Sequence, residues 1–306
     1  MPDRLHYKNV CQVKSFEILL MQIRKLSKKE FPKALLEIPQ PPKDLYIIGE
    51  LPKEKLIYLC VVGSRKFTTY GREACEKIIE GLKGYPIAIV SGFAMGIDTI
   101  AHKKAIKMGL KTIVFPGSGL SNEAIHPKTN IPLIEEVVKS GGCLISEFEP
   151  DFKATQYSFP QRNRLMAGIS KSVLIIEAEE RSGTLITARL ATEYNRDVLV
   201  IPGSIFSSNS KGTNRLIKQG ATPVTSSEDV LEALGFEVKK DENIQAKLFA
   251  DLSPEEQMVI KLLREPVPRD DLIRLMKMSV PDANALLSIM EIKDLIKEEL
   301  GEIKLA

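Results

Sequence analysis

The chain has 306 residues, 43% of them apolar and 27% charged, and its 43 Lys and Arg exceed its 40 Asp and Glu by only three. This is the composition of an ordinary folded domain protein, and it excludes a chain that grips polyanions through its overall charge. The length suits one large domain with a small one attached.

The four cysteines, Cys11, Cys60, Cys75 and Cys143, lie far apart with no CxxC pair and only three histidines elsewhere. That spacing argues against a structural zinc site and for buried, reduced thiols. No run of about 18 apolar residues is present. The first residues, with Asp3, Arg4 and Lys8, lack an apolar signal region. The expectation is a cytoplasmic protein with no membrane partner.

Residues 1–40 carry eight Lys and Arg against four Asp and Glu, and they are expected to form a short basic helical segment. The Pro-rich stretch FPKALLEIPQPPKDLYIIGE then leads into a domain expected over residues 41–238. There, short apolar runs alternate with amphipathic stretches: LIYLCVVG, GREACEKIIEGLK, PIAIVSG, IDTIAHKKAIKMG, KTIVFPG, CLISEF, RNRLMAGIS, SVLIIEA, TLITARLATEYN, DVLVIPG, TNRLIKQG, ATPVT and SSEDVLEALG. The apolar runs are continuous rather than alternating, as strands buried on both faces require. Repeated strand and helix predict an α/β fold, an extended Rossmann-like doubly wound sheet. In such sheets ligands bind beyond the carboxyl ends of the strands, and Gly63-Ser64-Arg65, Ser91-Gly92, Pro116-Gly117-Ser118-Gly119 and Pro202-Gly203-Ser204 fall there.

A charged linker is expected over residues 239–250, followed by a winged-helix domain over 251–306. In that domain Ser253, Pro254 and Glu256 form a helix-start signature with a capping box. With eight Lys and Arg against twelve Asp and Glu, this piece argues against a phosphate grip and for protein contact or a vestigial role.

Four stretches carry candidate chemistry. In VVGSRKFTTYG the strand ends in Gly63, Ser64 and Arg65, which can approach, donate to and fork a phosphate. In SGFAMGIDTIAHKKA, Asp98 and His102 stand at i, i+4, but with no third ligand they read as a helix-start carboxylate with structural hydrogen bonds. In FPQRNR, Pro160 marks a helix start and Arg162, Asn163 and Arg164 follow it. In RSGTLITARLA, residues Ser182, Gly183 and Thr184 open another helix, where plain capping and phosphate contact are compatible. Lys211 and Asn214 open a further helix with Arg215 and Lys218. All of these are expected to converge on one rim of the sheet as a polyanion groove, beside the rings of Phe67, Tyr70, Tyr157 and Phe159.

Together the motifs GSRKFTTYG (63–71), SGFAMGIDTIAH (91–102), GSGLSNEAIHPKTN (117–130), FPQRNRLMAGIS (159–170), SGTLITA (182–188), PGS (202–204) and GTNRLIKQGA (212–221) resemble the DNA processing protein A (DprA/Smf) family. The resemblance covers about residues 31–235. It implies a homodimeric, non-enzymatic protein without cofactor or metal. Such a protein binds single-stranded DNA, protects it, and assists loading of the RecA recombinase in natural transformation and recombination. By matching motif it assigns DNA contacts to Ser64, Arg65, Arg162, Asn163, Arg164, Ser182, Gly183 and Thr184, then to Lys211 and Asn214, and dimer contacts to residues around 221–235. Only about 35 residues precede the matching part, fewer than in many members, so no role carries over for a fuller helical domain there.

Two enzyme readings remain as alternatives. The domain also resembles nucleotide-ribose hydrolases, but their catalytic glutamate position falls on Thr187, which cannot serve as a carboxylate acid or base. A dinucleotide-binding oxidoreductase would need a glycine fingerprint that VVGSRKF lacks.

Overall fold

The computed structural model describes residues 22–53, 55–238, 252–263, 265–299 and 301–305. The chain divides into two compact units, residues 1–238 and 239–306.

In the first unit, nine described strands form one sheet. Seven of them run parallel, in the spatial order β6 (Cys143–Ser146), β5 (Lys111–Phe115), β4 (Ile87–Gly92), β3 (Ile57–Val62), β7 (Ser172–Ile175), β8 (Asp197–Val200) and β9 (Thr222–Pro223). Beyond β6 the strands β2 (Tyr46–Gly49) and β1 (Arg24–Lys25) are added antiparallel. Along β3 successive side chains enter opposite layers: Leu59 and Val61 pack into one core, Cys60 and Val62 into the other. This two-sided burial is why the strand reads as an unbroken apolar run.

Helices cover both faces. On one lie α1 (Lys33–Leu36), α5 (Ser158–Ile169) and α6 (Gly183–Glu193), through Leu35, Leu165, Met166, Ala188 and Ala191. On the other lie α2 (Thr69–Gly81), α3 (Ile97–Lys107) and α8 (Ser227–Ala233), through Ile78, Ile79, Ile97, Ala101, Val230 and Leu231. Helix α4 (Ile131–Lys139) closes a third cluster over β2 and β6, and α7 (Lys211–Lys218) follows β8. The chain lays β3 to β6 outward in one direction and then returns to place β7 on the other side of β3. The crevice of such a sheet lies at that reversal, at the carboxyl ends of β3 and β7.

Residues 22–40 differ from the helical segment expected there. They form strand β1, a 3-10 turn over Lys28–Glu30 and the single turn of α1. Leu26, Phe31, Leu35 and Ile38 are buried in the main core, so this stretch is part of the large unit, and Pro32, Pro39, Pro41 and Pro42 keep it from continuing as helix. The first 21 residues of the expected segment, and the expected linker over 239–250, lie outside the described residues.

The second unit is a winged helix. Helices α9 (Pro254–Leu262), α10 (Arg269–Met276) and α11 (Val280–Ile292) pack with a three-stranded antiparallel sheet, β10 (Val267–Pro268), β12 (Glu302–Leu305) and β11 (Ile296–Glu299). Its core is its own: Val259, Leu263, Leu272, Met276, Leu287, Met290, Ile296 and Ile303 are buried together. The capping box forms as expected, with Ser253 N donating to Glu256 Oε2 at 2.8 Å and Glu256 N donating to Ser253 Oγ at 3.2 Å.

Candidate nucleic-acid interface

A cavity of about 360 Å³ opens where β3 ends and α6 begins, at the reversal of strand order. Four segments build it: residues 62–66 after β3, Ala94 and Asp98 at the start of α3, one face of α5, and residues 179–187 leading into α6. The first two segments are stacked on each other. Ile97 N donates to Ser64 O at 3.2 Å, and Gly96, at φ +90°, lies where a Cβ would sit 2.7 Å from Arg65 Cα. Only glycine fits there without strain. The Ser64 hydroxyl accepts from Lys66 N at 3.0 Å and turns the chain so that Arg65 and Lys66 are exposed.

Arg65 lies over the Phe159 ring, 5.4 Å from guanidinium carbon to centroid, a cation–π arrangement that holds the charge at the mouth. Arg181, exposed, flanks the opposite side. Among the described residues, Arg65, Lys66 and Arg181 have no ion-pair partner. Ser182 caps α6 by accepting from Thr184 N at 3.1 Å. Its hydroxyl proton remains to donate, at a helix end that already favours anions. A Cβ at Gly183 would meet nothing within 4 Å, so the backbone there is open to a ligand. Thr184 Oγ1 donates to Gly63 O at 3.2 Å and binds the α6 start to the β3 end.

Arg162 lies in the cavity lining, at its base. It is only 5% exposed and forms the cavity floor, its guanidinium donating to Phe115 O and, through Nε, to Asn163 Oδ1 at 3.1 Å. Asp98 faces it from α3, and a Cβ at Gly92 would collide with both side chains. Burial pushes the Asp98 carboxyl up while the Arg162 charge opposes the shift. Burial likewise pulls the Arg162 guanidinium down and Asp98 opposes it. Opposite buried charges thus stand near each other beneath the rim. Asn163 Nδ2 reaches Gly183 O at 3.5 Å and ties this floor to α6.

Arg164 does not line the cavity, contrary to expectation. Two residues along a helix turn the side chain by about 200°, so Arg164 pairs with the buried Glu147 and donates to Gln40 O at 2.6 Å. It fastens the N-terminal stretch to α5. Lys211 and Asn214 also lie outside the cavity lining. Asn214 brackets Gly203, accepting from its N at 3.3 Å and donating to its O at 3.0 Å, and Lys211 is exposed at the first position of α7. The structure therefore brings Ser64, Arg65, Arg162, Asn163, Ser182, Gly183 and Thr184 around one space and leaves three of the expected residues elsewhere.

His102 is fully buried. Its Nε2 donates to Gly92 O at 2.8 Å, so the neutral ring accepts at Nδ1 from the Thr112 hydroxyl at 2.6 Å. Burial pulls its pKa down to about 4. It clamps the end of β4 rather than serving a ligand. Cys60, Cys75 and Cys143 are buried thiols, pushed up by burial, while Cys11 lies outside the described residues. Among the described residues no cluster of His, Cys, Asp and Glu could hold a metal ion, and no helix is long and apolar enough to cross a membrane.

Lys66 and Arg181 were absent from the sequence reading. Both adjoin residues that were in it, and Arg181 directly precedes the helix cap at Ser182, which was the available signal. Lined by Arg65, Lys66, Arg162 and Arg181 against Asp98 and Glu179, the cavity is net cationic. It offers exposed forks, a helix start and an aromatic ring, an assortment suited to a sugar-phosphate chain with a base.

The sequence model for DNA recombination-mediator protein A matches residues 22–235, and that for the DprA winged helix domain matches residues 246–302. Protein Smf of Escherichia coli is 42% identical over 206 residues, which span 67% of this chain and 54% of that protein. DNA processing protein DprA of Streptococcus pneumoniae is 41% identical over 206 residues, 67% of this chain and 72% of that protein. The chain thus spans about half the length of the first relative. The crystal structure of the S. pneumoniae protein superposes with TM-score 0.64 at 38% identity, covering 76% of this chain and 79% of that one. A structure of DNA processing protein A from Helicobacter pylori, described for its single-stranded DNA binding mode, superposes with TM-score 0.62 at 32% identity, covering 70% and 96%.

Proposed function

The chain belongs to the DNA recombination-mediator protein A (DprA/Smf) family, and from that premise we propose that it binds single-stranded DNA in the cavity at the ends of β3 and β7. The observation that carries the reading is the convergence of exposed Arg65, Lys66 and Arg181, without ion-pair partners among the described residues, on the open start of α6. Phosphates are held by the cations and the helix start, and a base lies against Phe159 with little readout of its edges. Arg162, Asn163 and Asp98 act beneath as a rigid floor.

In this reading the protein is a binding protein of the cytoplasm. It shields incoming single strands and assists RecA loading in natural transformation and recombination, working as a homodimer. Support for a binding role over a hydrolytic one comes from Thr187, buried in the cavity wall at the position where the ribose hydrolases carry their glutamate.

The test is fluorescence anisotropy with labelled oligo-dT and with duplex DNA. The single strand should bind more tightly, and Arg65→Ala should weaken it by about 10- to 100-fold, the loss of charge-assisted hydrogen bonds. Equal affinity of wild type and Arg65→Ala for oligo-dT removes the cavity from the function.

A further inference from the structure

The loop after β8 presents two large apolar side chains to solvent, Ile205 at 78% and Phe206 at 93% exposed. The loop is braced rather than slack. Phe206 N donates to Ser204 Oγ at 3.3 Å, and Ser207 N donates to Ser204 O at 3.1 Å. Asn214 holds Gly203 from both sides, and Asn209 Nδ2 donates to Lys66 O at 2.6 Å. Tyr70, half exposed, donates its hydroxyl to Pro202 O at 2.6 Å. An aromatic ring kept in water on a fixed turn needs a reason, because each exposed apolar surface has a cost in free energy.

Beside this loop lies a cleft of about 540 Å³ whose walls include Tyr70, Pro202, Gly203, Ser204, Ser207 and Ser210. No lysine or arginine lines it. The cation next to it is Lys211, which follows Ser210 and is exposed. The cleft adjoins the first cavity along two strand ends: Lys66 lines the cavity and Thr68 the cleft after β3, and Glu179 lines the cavity and Glu177 the cleft after β7.

We propose that Phe206, with Tyr70, is a second stacking platform, holding a base of the same single strand whose phosphates occupy the first cavity, with Lys211 taking a neighbouring phosphate. The occupant is a base and not a phosphate, since hydroxyls, the Tyr70 ring and the Glu177 carboxylate line the cleft and the cation stands only at its edge. A strand leaving the cavity along the sheet rim reaches this cleft next. The proposal rests on the single-strand reading above and extends its footprint from one cavity to two.

The chain contains no tryptophan, so Phe206→Trp introduces a single fluorescent reporter at the platform. Oligo-dT 20 nucleotides long is the probe. Phe206→Ala should weaken it by about 5- to 150-fold, the range equivalent to 1–3 kcal/mol for one stacked base. The slope of log affinity against log salt should stay unchanged in that variant. Lys211→Ala should lower the slope by about 0.7, one phosphate contact on a single strand. Phe206→Trp should keep a stacking ring and bind the strand, with its fluorescence quenched as the strand is added.

Full affinity in Phe206→Ala, alongside weakened Arg65→Ala, overturns the platform and leaves the first cavity standing. Loss of effect in both variants overturns the single-strand reading itself. A changed mass of free Phe206→Ala by light scattering, with affinity for the strand retained, makes the loop a contact between copies of the chain and also overturns the platform.

Discussion

The winged helix and the rim of the large sheet treat their cations in opposite ways. In the winged helix, Arg269 lies 3.5 Å from Glu291 and also pairs with Glu298, Arg274 pairs with Asp271 at 3.1 Å, and Lys293 pairs with Glu256 at 2.7 Å. At the rim of the large sheet, Arg65, Lys66 and Arg181 stand without such partners among the described residues, above a buried Arg162 and Asp98. A cation already matched to a carboxylate has less to gain from a phosphate, whereas an unmatched one recovers the full interaction and releases counterions. Partner preference therefore depends less on how many basic residues a unit has than on whether its own carboxylates have consumed them.

If the rim rests on buried charge, the heaviest cost belongs below it. Arg162→Ala should destabilise the large unit by roughly 3–5 kcal/mol in urea unfolding, because it strands Asp98 in a desolvated site. A variant as stable as wild type would show that the floor is not electrostatic. His102 sharpens the point through pH. Its folded pKa of about 4 lies below the ordinary 6.5, so its contribution is present above pH 6.5 and is lost as pH falls toward 4. Between pH 7 and pH 5 this amounts to about 2 kcal/mol. His102→Gln should flatten that part of the stability profile, read by thermal unfolding at each pH.

In the winged helix the Arg274–Asp271 pair is exposed, and there Arg274→Ala should change stability by no more than about 0.5 kcal/mol. The smallest effect should come from removing the unit entirely. A chain ending at residue 238 should bind oligo-dT within about twofold of the full chain, since the acidic unit adds no counterion release. Affinity that vanishes with the winged helix would break the contrast between the units.

The parallel strands were legible because each is buried on two faces and so reads as an apolar run. The winged helix was legible from its caps. The stretch from Gln22 to Gln40 was not, since a two-residue strand such as β1 leaves no periodicity and Leu26, Phe31, Leu35 and Ile38 reveal their burial only once the sheet exists to receive them. At the site, the glycine turn with Arg65 and the Ser182 cap were readable as local motifs. Arg162 and Arg164 were not separable without their helix: one residue lies between them in sequence, yet they face opposite ways, one to the cavity and one to Glu147. Lys211 and Asn214 read as part of the same groove because their motif is cationic, and only the packing of α7 against the β8 loop gives them a different neighbourhood.

Both flanks of the large sheet end in strands two residues long, Arg24-Lys25 on one side and Thr222-Pro223 on the other. The first flank has two positive charges and the second a proline with no amide hydrogen. Neither of these described edge strands offers a long row of open peptide groups, which guards the sheet edges against zipping backbone to backbone onto another chain. At these two edges any contact with another chain would be carried by side chains, whose strength mutation can tune one residue at a time.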